Sequence, residues 1–133
     1  MGNVLKWDSN YDLGHKKIDE QHRIFFGLIT EFQEAITNGA ANDKLLRMLD
    51  IILKYAEFHF ASEEEIMTEH QYPAQPQHAN LHIILLEEVK DIFDQFKQDK
   101  LGTIAVSEFL LNWFLLHISR QDKKLVGFIG QTI

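Results

Sequence analysis

Apolar residues recur every three or four positions along most of this sequence, and this helical period is the feature that most limits the possible folds. Four such stretches are separated by short breaks, which favour antiparallel neighbours. The sequence therefore predicts an all-α, up-down-up-down antiparallel four-helix bundle as a single domain over 1–133. The predicted segments are an irregular arm over 1–17, helices over about 18–38, 42–70, 76–98 and 103–120, and a short tail over 123–133.

Capping residues set the predicted helix starts. Asp19 is the expected N-cap of the first helix, Asn42 or Asp43 of the second, and Thr103 of the last. Prolines between the second and third helices break the chain, because proline lacks the N–H that a helix interior needs. The short tail over 123–133 carries the apolar residues Leu125 and Phe128.

Composition excludes several classes of function. The 133 residues include 20 Asp+Glu against 13 Lys+Arg, a net charge of −7, so nucleic acid and anionic membrane surfaces are poor partners. Cysteine is absent, which rules out disulfides, thiolate nucleophiles, iron–sulfur clusters and cysteine-bound zinc. No apolar stretch is long enough for a bilayer and no secretory signal is visible, so a cytoplasmic location is expected.

Histidines interrupt the apolar faces at a spacing that groups them. His59 and Glu63 are four residues apart, as are His78 and His82, and a spacing of four keeps both side chains on one helix face. His22 shares the apolar face of the first helix, and His117 that of the last. In an up-down-up-down bundle all of these positions lie at the same end, so we expect them in one layer of the core.

Several imidazoles and a carboxylate in an apolar core would each lose a hydrogen bond, at a cost of about 1–3 kcal/mol, unless a metal binds them. Neutral imidazole suits Fe, Zn, Cu or Ni. A tetrahedral zinc takes about four ligands, so the set fits two metals better, with Glu63 as a bridging carboxylate. Asp122 is a second candidate, but five residues place it about 140° from His117 on a regular helix. The helix would have to loosen or end there for Asp122 to point inward.

These motifs resemble those of the hemerythrins. The matching residues are His22, His59-Phe60-Ala61-Ser62-Glu63, His78-Ala79-Asn80-Leu81-His82 and His117-Ile118-Ser119-Arg120-Gln121-Asp122. The segments that flank His22 and Asp122 look like those of the bacterial single-domain branch, the bacteriohemerythrins. The likeness extends from Trp7 to about Leu125.

The resemblance implies two non-haem iron ions, Fe²⁺ or Fe³⁺, that bind O2 reversibly. One iron would be held by His78, His82 and His117, and the other by His22 and His59. Glu63 and Asp122 would bridge both ions together with an oxo or hydroxo group. Counting ligands for two six-coordinate irons leaves one open position, on the iron with two histidines. Aromatic residues would line the O2 pocket, namely Phe114, Trp113, Phe60 and Phe25. Phe114 stands where members of the family usually have leucine.

The expected function is O2 carriage, storage or scavenging rather than catalysis. Ferritin-like di-iron sites are built mainly from carboxylates, whereas neutral imidazoles dominate this set and favour the ferrous pair. Two alternatives stay open, an O2 or redox sensor module with an unknown protein partner and a di-iron enzyme acting on peroxide or nitric oxide. His15 and His70 are expected outside the metal site. Of the run Glu63-Glu64-Glu65, only Glu63 is expected to point inward.

Overall fold

The computed structural model describes residues 6–131, apart from the side chains of His117 and Gln131. A short 3₁₀ turn over Ser9–Tyr11 precedes α1 (Lys16–Thr37), α2 (Asn42–Glu69), α3 (Gln75–Lys97) and α4 (Thr103–Asn112). A π-helical segment, Trp113–Ile118, joins α4 to α5 (Ser119–Gln131). The described residues contain no strand, and the prediction of an all-helical four-helix bundle is confirmed. None of their helices combines the length and apolarity needed to cross a bilayer.

Contacts between neighbouring helices position the four rods of the bundle. The first three rods are α1, α2 and α3, and the last rod runs from α4 through the π-helical segment to α5. Gln21, near the start of α1, donates to Ser62 Oγ near the end of α2 at 2.9 Å. Glu63 meets His78 at the start of α3, and the indole of Trp113 donates to the carbonyl of Leu85 at 3.1 Å. These contacts fit the antiparallel order predicted from the short connections.

The core at the centre of the bundle is rich in aromatic side chains. Phe25, Phe32, Phe60 and Trp113 are among its largest fully buried residues. Burial of one such side chain contributes about 1.5–3 kcal/mol. A smaller apolar cluster joins Ile18, Ile66, Met67 and Leu125 at the other side of the histidine layer.

The first helix begins two residues earlier than predicted, and its cap is different. His15, not Asp19, is the N-cap, because His15 Nδ1 accepts a hydrogen bond from the Ile18 amide at 3.2 Å. Asp19 lies in the first turn and is buried. Its carboxylate accepts from the amides of Leu13 at 2.7 Å and Gly14 at 3.1 Å, and so ties the arm to the bundle.

The predicted caps of α2, Asn42 or Asp43, and of α4, Thr103, are also wrong. Ala41 and Gly102 hold the N-cap positions, without side-chain capping bonds, and Asn42 and Thr103 are the first helical residues. These starts are stabilised by packing of the helices rather than by their caps.

The predicted tail is also wrong, because α5 continues the last rod as far as Gln131. Leu125 explains this difference. It is fully buried in the small cluster with Ile18 and Met67, and a helix is the conformation that brings it there. The single-domain extent of 1–133 stays a prediction.

The π-helical segment changes which face of the last rod points inward. Val106 and Asp122 are sixteen residues apart, which on a regular α-helix would separate their directions by about 160°. Both are buried here, because the chain forms a wider turn with a bond from the Ser119 amide to the Phe114 carbonyl, five residues back. The departure from a regular α-helix that an inward-pointing Asp122 requires is therefore present.

The His15 cap gives a prediction about stability and pH. His15→Ala should lower the free energy of unfolding by about 1 kcal/mol at pH 7.5, whereas His15→Asn should retain most of it. Burial lowers the pKa of His15 from 6.5, so the unfolded chain takes up the proton first on acidification. The cap is fully present above about pH 6.5 and is lost as the pH falls below it. Urea unfolding at pH 7.5 and pH 5 measures both effects. A His15→Ala effect of the same size at both values would contradict the capping role.

Candidate metal centre

The structure brings six of the seven predicted ligands into one buried cluster at one end of the bundle. They are His22, His59, Glu63, His78, His82 and Asp122, all of them at most 6% exposed. The seventh, His117, belongs to the π-helical segment by its backbone, but its side chain lies outside the described residues. His70 is the exposed C-cap of α2 and does not belong to the cluster.

Asp122 is the partner of the rings from α1 and α2. Its Oδ2 atom lies 2.6 Å from His22 Nε2 and 2.9 Å from His59 Nε2. Its Oδ1 atom lies 3.4 Å from His78 Nε2 on α3. One carboxylate on the last rod therefore reaches rings from each of the other three helices.

Glu63 on α2 is the carboxylate partner of the two histidines of α3. Its Oε1 atom lies 2.6 Å from His78 Nε2 and 3.2 Å from His82 Nε2. Its Oε2 atom lies 3.4 Å from His59 Nε2. Together with His22, these three histidines thus present Nε2, rather than Nδ1, to a carboxylate.

Two overlapping sets of possible ligand atoms result. One set is His22, His59, Glu63 and Asp122, and the other is Glu63, His78, His82 and Asp122. Within each set the ligand atoms lie within 4.8 Å of one another. The two carboxylates are common to both sets, while each set has its own pair of histidines.

Two residues behind the rings had no predicted role. Gln21 Oε1 lies 2.8 Å from His59 Nδ1, and Glu64 Oε2 lies 3.0 Å from His82 Nδ1. The expectation that only Glu63 of the acidic run points inward is therefore wrong. Glu64 is 40% exposed and yet reaches His82 across the α2–α3 interface. A search for residues one position from each predicted ligand would have found both.

Burial sets the ionisation of the cluster. It raises the pKa of Glu63 well above its usual value, and the charge of Asp122 adds to this effect. Burial also lowers the pKa of His59 and lowers that of His82 to about 4, despite the opposing hydrogen bond to Glu64. For Asp122, burial acts upward, but hydrogen bonding, first that from the His22 ring, outweighs it and holds the pKa well below its usual value.

Atoms of the cluster that can only accept hydrogen bonds face one another. A metal cation between them would supply the positive charge that both need. A neutral imidazole has one N–H, and His59 uses it at Nδ1 because the Gln21 oxygen can only accept. Its Nε2 lone pair then faces the Asp122 carboxylate at 2.9 Å, acceptor against acceptor. Burial opposes an added proton on the ring.

Buried polar atoms without a hydrogen bond also indicate that a cation is needed in the cluster. His22 Nδ1, Glu63 Oε2 and His78 Nε2 are buried without a hydrogen bond. His78 Nε2 lies close to Glu63 Oε1, at 2.6 Å, but outside hydrogen-bonding geometry. Imidazole nitrogens with bridging-capable carboxylates are a donor set that suits iron or zinc, so the residues present fit a metal centre.

Aromatic rings cover the cluster. Phe114 meets the His22 ring edge-on with centroids 5.3 Å apart, and Phe25 lies 6.2 Å from His59. Phe60 stacks on His82 at 4.1 Å and 7°. Trp113 packs behind Phe25 at 5.7 Å, as a second layer. The four predicted pocket residues are therefore all near the cluster, with Phe114 and Phe25 on the His22 and His59 side.

The fold and the cluster together define a class, a four-helix-bundle protein with a buried metal centre built from histidines and carboxylates. Comparison with known proteins makes this more specific. The family model of the hemerythrin HHE cation-binding domain matches residues 13–129. The chain belongs to the hemerythrin family.

Named relatives match nearly the whole chain. A bacteriohemerythrin of Clostridium acetobutylicum is 29% identical over 129 residues, which cover 92% of this chain and 99% of that protein. A hemerythrin-like protein of Naegleria gruberi is 27% identical, with 94% and 93% covered. A myohemerythrin of Theromyzon tessulatum is 23% identical, with 92% and 91% covered. The similarity thus extends over both the bundle and all the segments that carry the cluster.

The lowered pKa of His82 predicts acid sensitivity of the metal-free protein. Because the folded-state pKa lies below the 6.5 of a free histidine, the unfolded chain binds the proton first. The contribution of neutral His82 is complete above about pH 6.5 and is lost as the pH falls toward 4. Compared with His82→Asn, the wild-type protein should lose on the order of 3 kcal/mol between pH 7 and pH 4.

Chemical unfolding of chelator-treated protein at stepped pH measures this difference. His70→Asn is the control, because it removes an exposed histidine at the end of α2 without touching the cluster. If the difference between wild type and His82→Asn does not change with pH, the ring is not held neutral by burial.

Proposed function

We propose that this chain binds O2 reversibly at a dinuclear non-haem iron centre, as a carrier, store or scavenger of O2. The observation that carries the proposal is the pair of ligand sets that share Glu63 and Asp122. Two sets with common carboxylates suit two neighbouring ions bridged by those carboxylates. The names of the relatives, bacteriohemerythrin and myohemerythrin, support the same function.

Each residue of the centre has a proposed role. His22 and His59 would hold one iron, His78 and His82 would hold the other, and Glu63 and Asp122, which belong to both ligand sets, would serve both ions. His117 is proposed as the third histidine of the second iron, on the basis of its place in the family motif.

When bound, the two ions supply the electrons and the open coordination position that O2 binding requires. The protein supplies neutral imidazole donors, whose low charge favours the ferrous pair. The charge of the two carboxylates is partly balanced by the ions, which allows both to stay in a core where burial raises the pKa of Glu63.

The surroundings of His22 and His59 favour binding over catalysis. The rings of Phe114 and Phe25 pack on this half of the cluster. Neither carries an acid or a base, so neither can deliver a proton for breaking the O–O bond. Their apolar faces also exclude water, which protects a reversibly bound ligand.

Metal analysis combined with an anaerobic optical titration tests the function. We expect two irons per chain and a colour change on adding O2 that argon reverses over repeated cycles. A single bound zinc, or bleaching that argon does not reverse, would overturn the carrier function. Steady turnover of peroxide or nitric oxide above that of free iron would replace it with an enzymatic one.

Glu63 should be required by both ions. Glu63→Ala should reduce iron from two per chain to near zero, since one carboxylate serves both ligand sets. Glu65→Ala is the matched control, because Glu65 is exposed and belongs to the same acidic run. His15→Ala is a second control on a histidine, and it should keep both irons. Iron content by plasma emission spectrometry gives the result. Retention of one full iron by Glu63→Ala would show that Glu63 does not bridge.

A further inference from the structure

The outer Nδ1 atoms of His59 and His82 have partners of different charge. His59 Nδ1 donates to the neutral amide oxygen of Gln21 at 2.8 Å. His82 Nδ1 donates to the Glu64 carboxylate at 3.0 Å. The two rings lie in different ligand sets, so the difference separates the two halves of the cluster.

The hydrogen bonds fix the orientation of each ring. Gln21 Nε2 donates to Ser62 Oγ at 2.9 Å, and this bond turns the amide oxygen toward His59. Glu64 can only accept, so His82 must place its N–H at Nδ1. In both rings the Nε2 lone pair is therefore directed at the carboxylates in the centre.

The charge of the partner affects the strength of the ring as a ligand. A carboxylate attracts the Nδ1 proton more strongly than an amide oxygen does, and this raises electron density at Nε2. A ring with more electron density at Nε2 binds the more highly charged ion better. Glu64 also differs in setting, because it lines a surface groove between α2 and α3, whereas Gln21 is buried.

Building on the proposed iron centre, we propose that Gln21 and Glu64 are positioning residues for His59 and His82. They hold both rings with Nε2 toward the metals. The charge of Glu64 further makes the half with His78 and His82 the one that favours Fe³⁺, and leaves the half with His22 and His59 the more easily reduced.

Potentiometry of the iron-loaded chain tests the charge effect. Glu64→Gln keeps a hydrogen-bond acceptor but removes the charge, so the midpoint potential of one iron should rise. Glu65→Gln removes the same charge one residue away, on an exposed side chain, and should leave both potentials at their wild-type values. Equal potentials in Glu64→Gln and Glu65→Gln would overturn the assignment.

The reverse substitution strengthens the test. Gln21→Glu places a carboxylate behind His59 and should lower the potential of the other iron. If this buried change prevents folding, Glu64→Gln still decides the question, because Glu64 is 40% exposed and its replacement leaves the core intact.

Zinc binding tests the positioning role without any redox or O2 readout. Glu64→Ala should weaken Zn²⁺ affinity about 10- to 100-fold relative to Glu65→Ala, since partners behind a ligand histidine have effects of this size. Long-range ¹H–¹⁵N spectra of the Zn²⁺-loaded wild type should show the His82 proton at Nδ1.

The outcomes separate this inference from the proposed function. A wild-type chain that binds neither iron nor zinc would overturn the metal centre itself. Normal metal loading in the wild type, with Glu64→Ala and Glu65→Ala equal in Zn²⁺ affinity, would overturn only the role of Glu64.

Discussion

The structure depends on the contacts between two buried carboxylates and the imidazoles around them, inside an apolar core. Glu63 and Asp122 are at most 1% exposed, and an unpaired buried charge costs several kcal/mol. Their neighbours come from all four rods, so no pair of helices can form the cluster alone. Short connections at both ends place the start of α1, the end of α2 and the start of α3 at one level, and this arrangement makes the cluster possible.

Spacing was sufficient to predict the histidine pairs but not Asp122. A separation of four residues keeps His78 and His82 on one face of any α-helix, whatever surrounds it. Asp122 depends on the π-helical segment before it, and sequence periodicity describes only regular helices. The family resemblance, rather than the spacing, predicts Asp122 as a metal ligand. The wider turn explains physically what that resemblance implied.

Three differences from the predictions arise from contacts that lie outside the helix in which the residue stands. The local sequence pattern predicts Asp19 as a cap, yet its carboxylate accepts hydrogen bonds from the arm before the helix. The helix position of Glu64 predicts a solvated side chain, yet its carboxylate reaches His82 on the next helix. Leu125, in the predicted tail, packs against α1 and α2, contacts that no local pattern reveals, and these contacts accompany the helix over Ser119–Gln131.

The two sides of the cluster meet different environments, and this difference bears on where a ligand binds. On the side of His22 and His59, the rings of Phe114 and Phe25 form an apolar wall. On the side of His82, the ring contacts a half-exposed carboxylate at a surface groove. An uncharged diatomic ligand loses no hydrogen bonds on entering an apolar pocket, whereas water loses several. Under the proposed function, the apolar side would admit O2 in preference to water, while the Glu64 charge that is proposed to favour the oxidised metal lies at the opposite side, where solvent can compensate it.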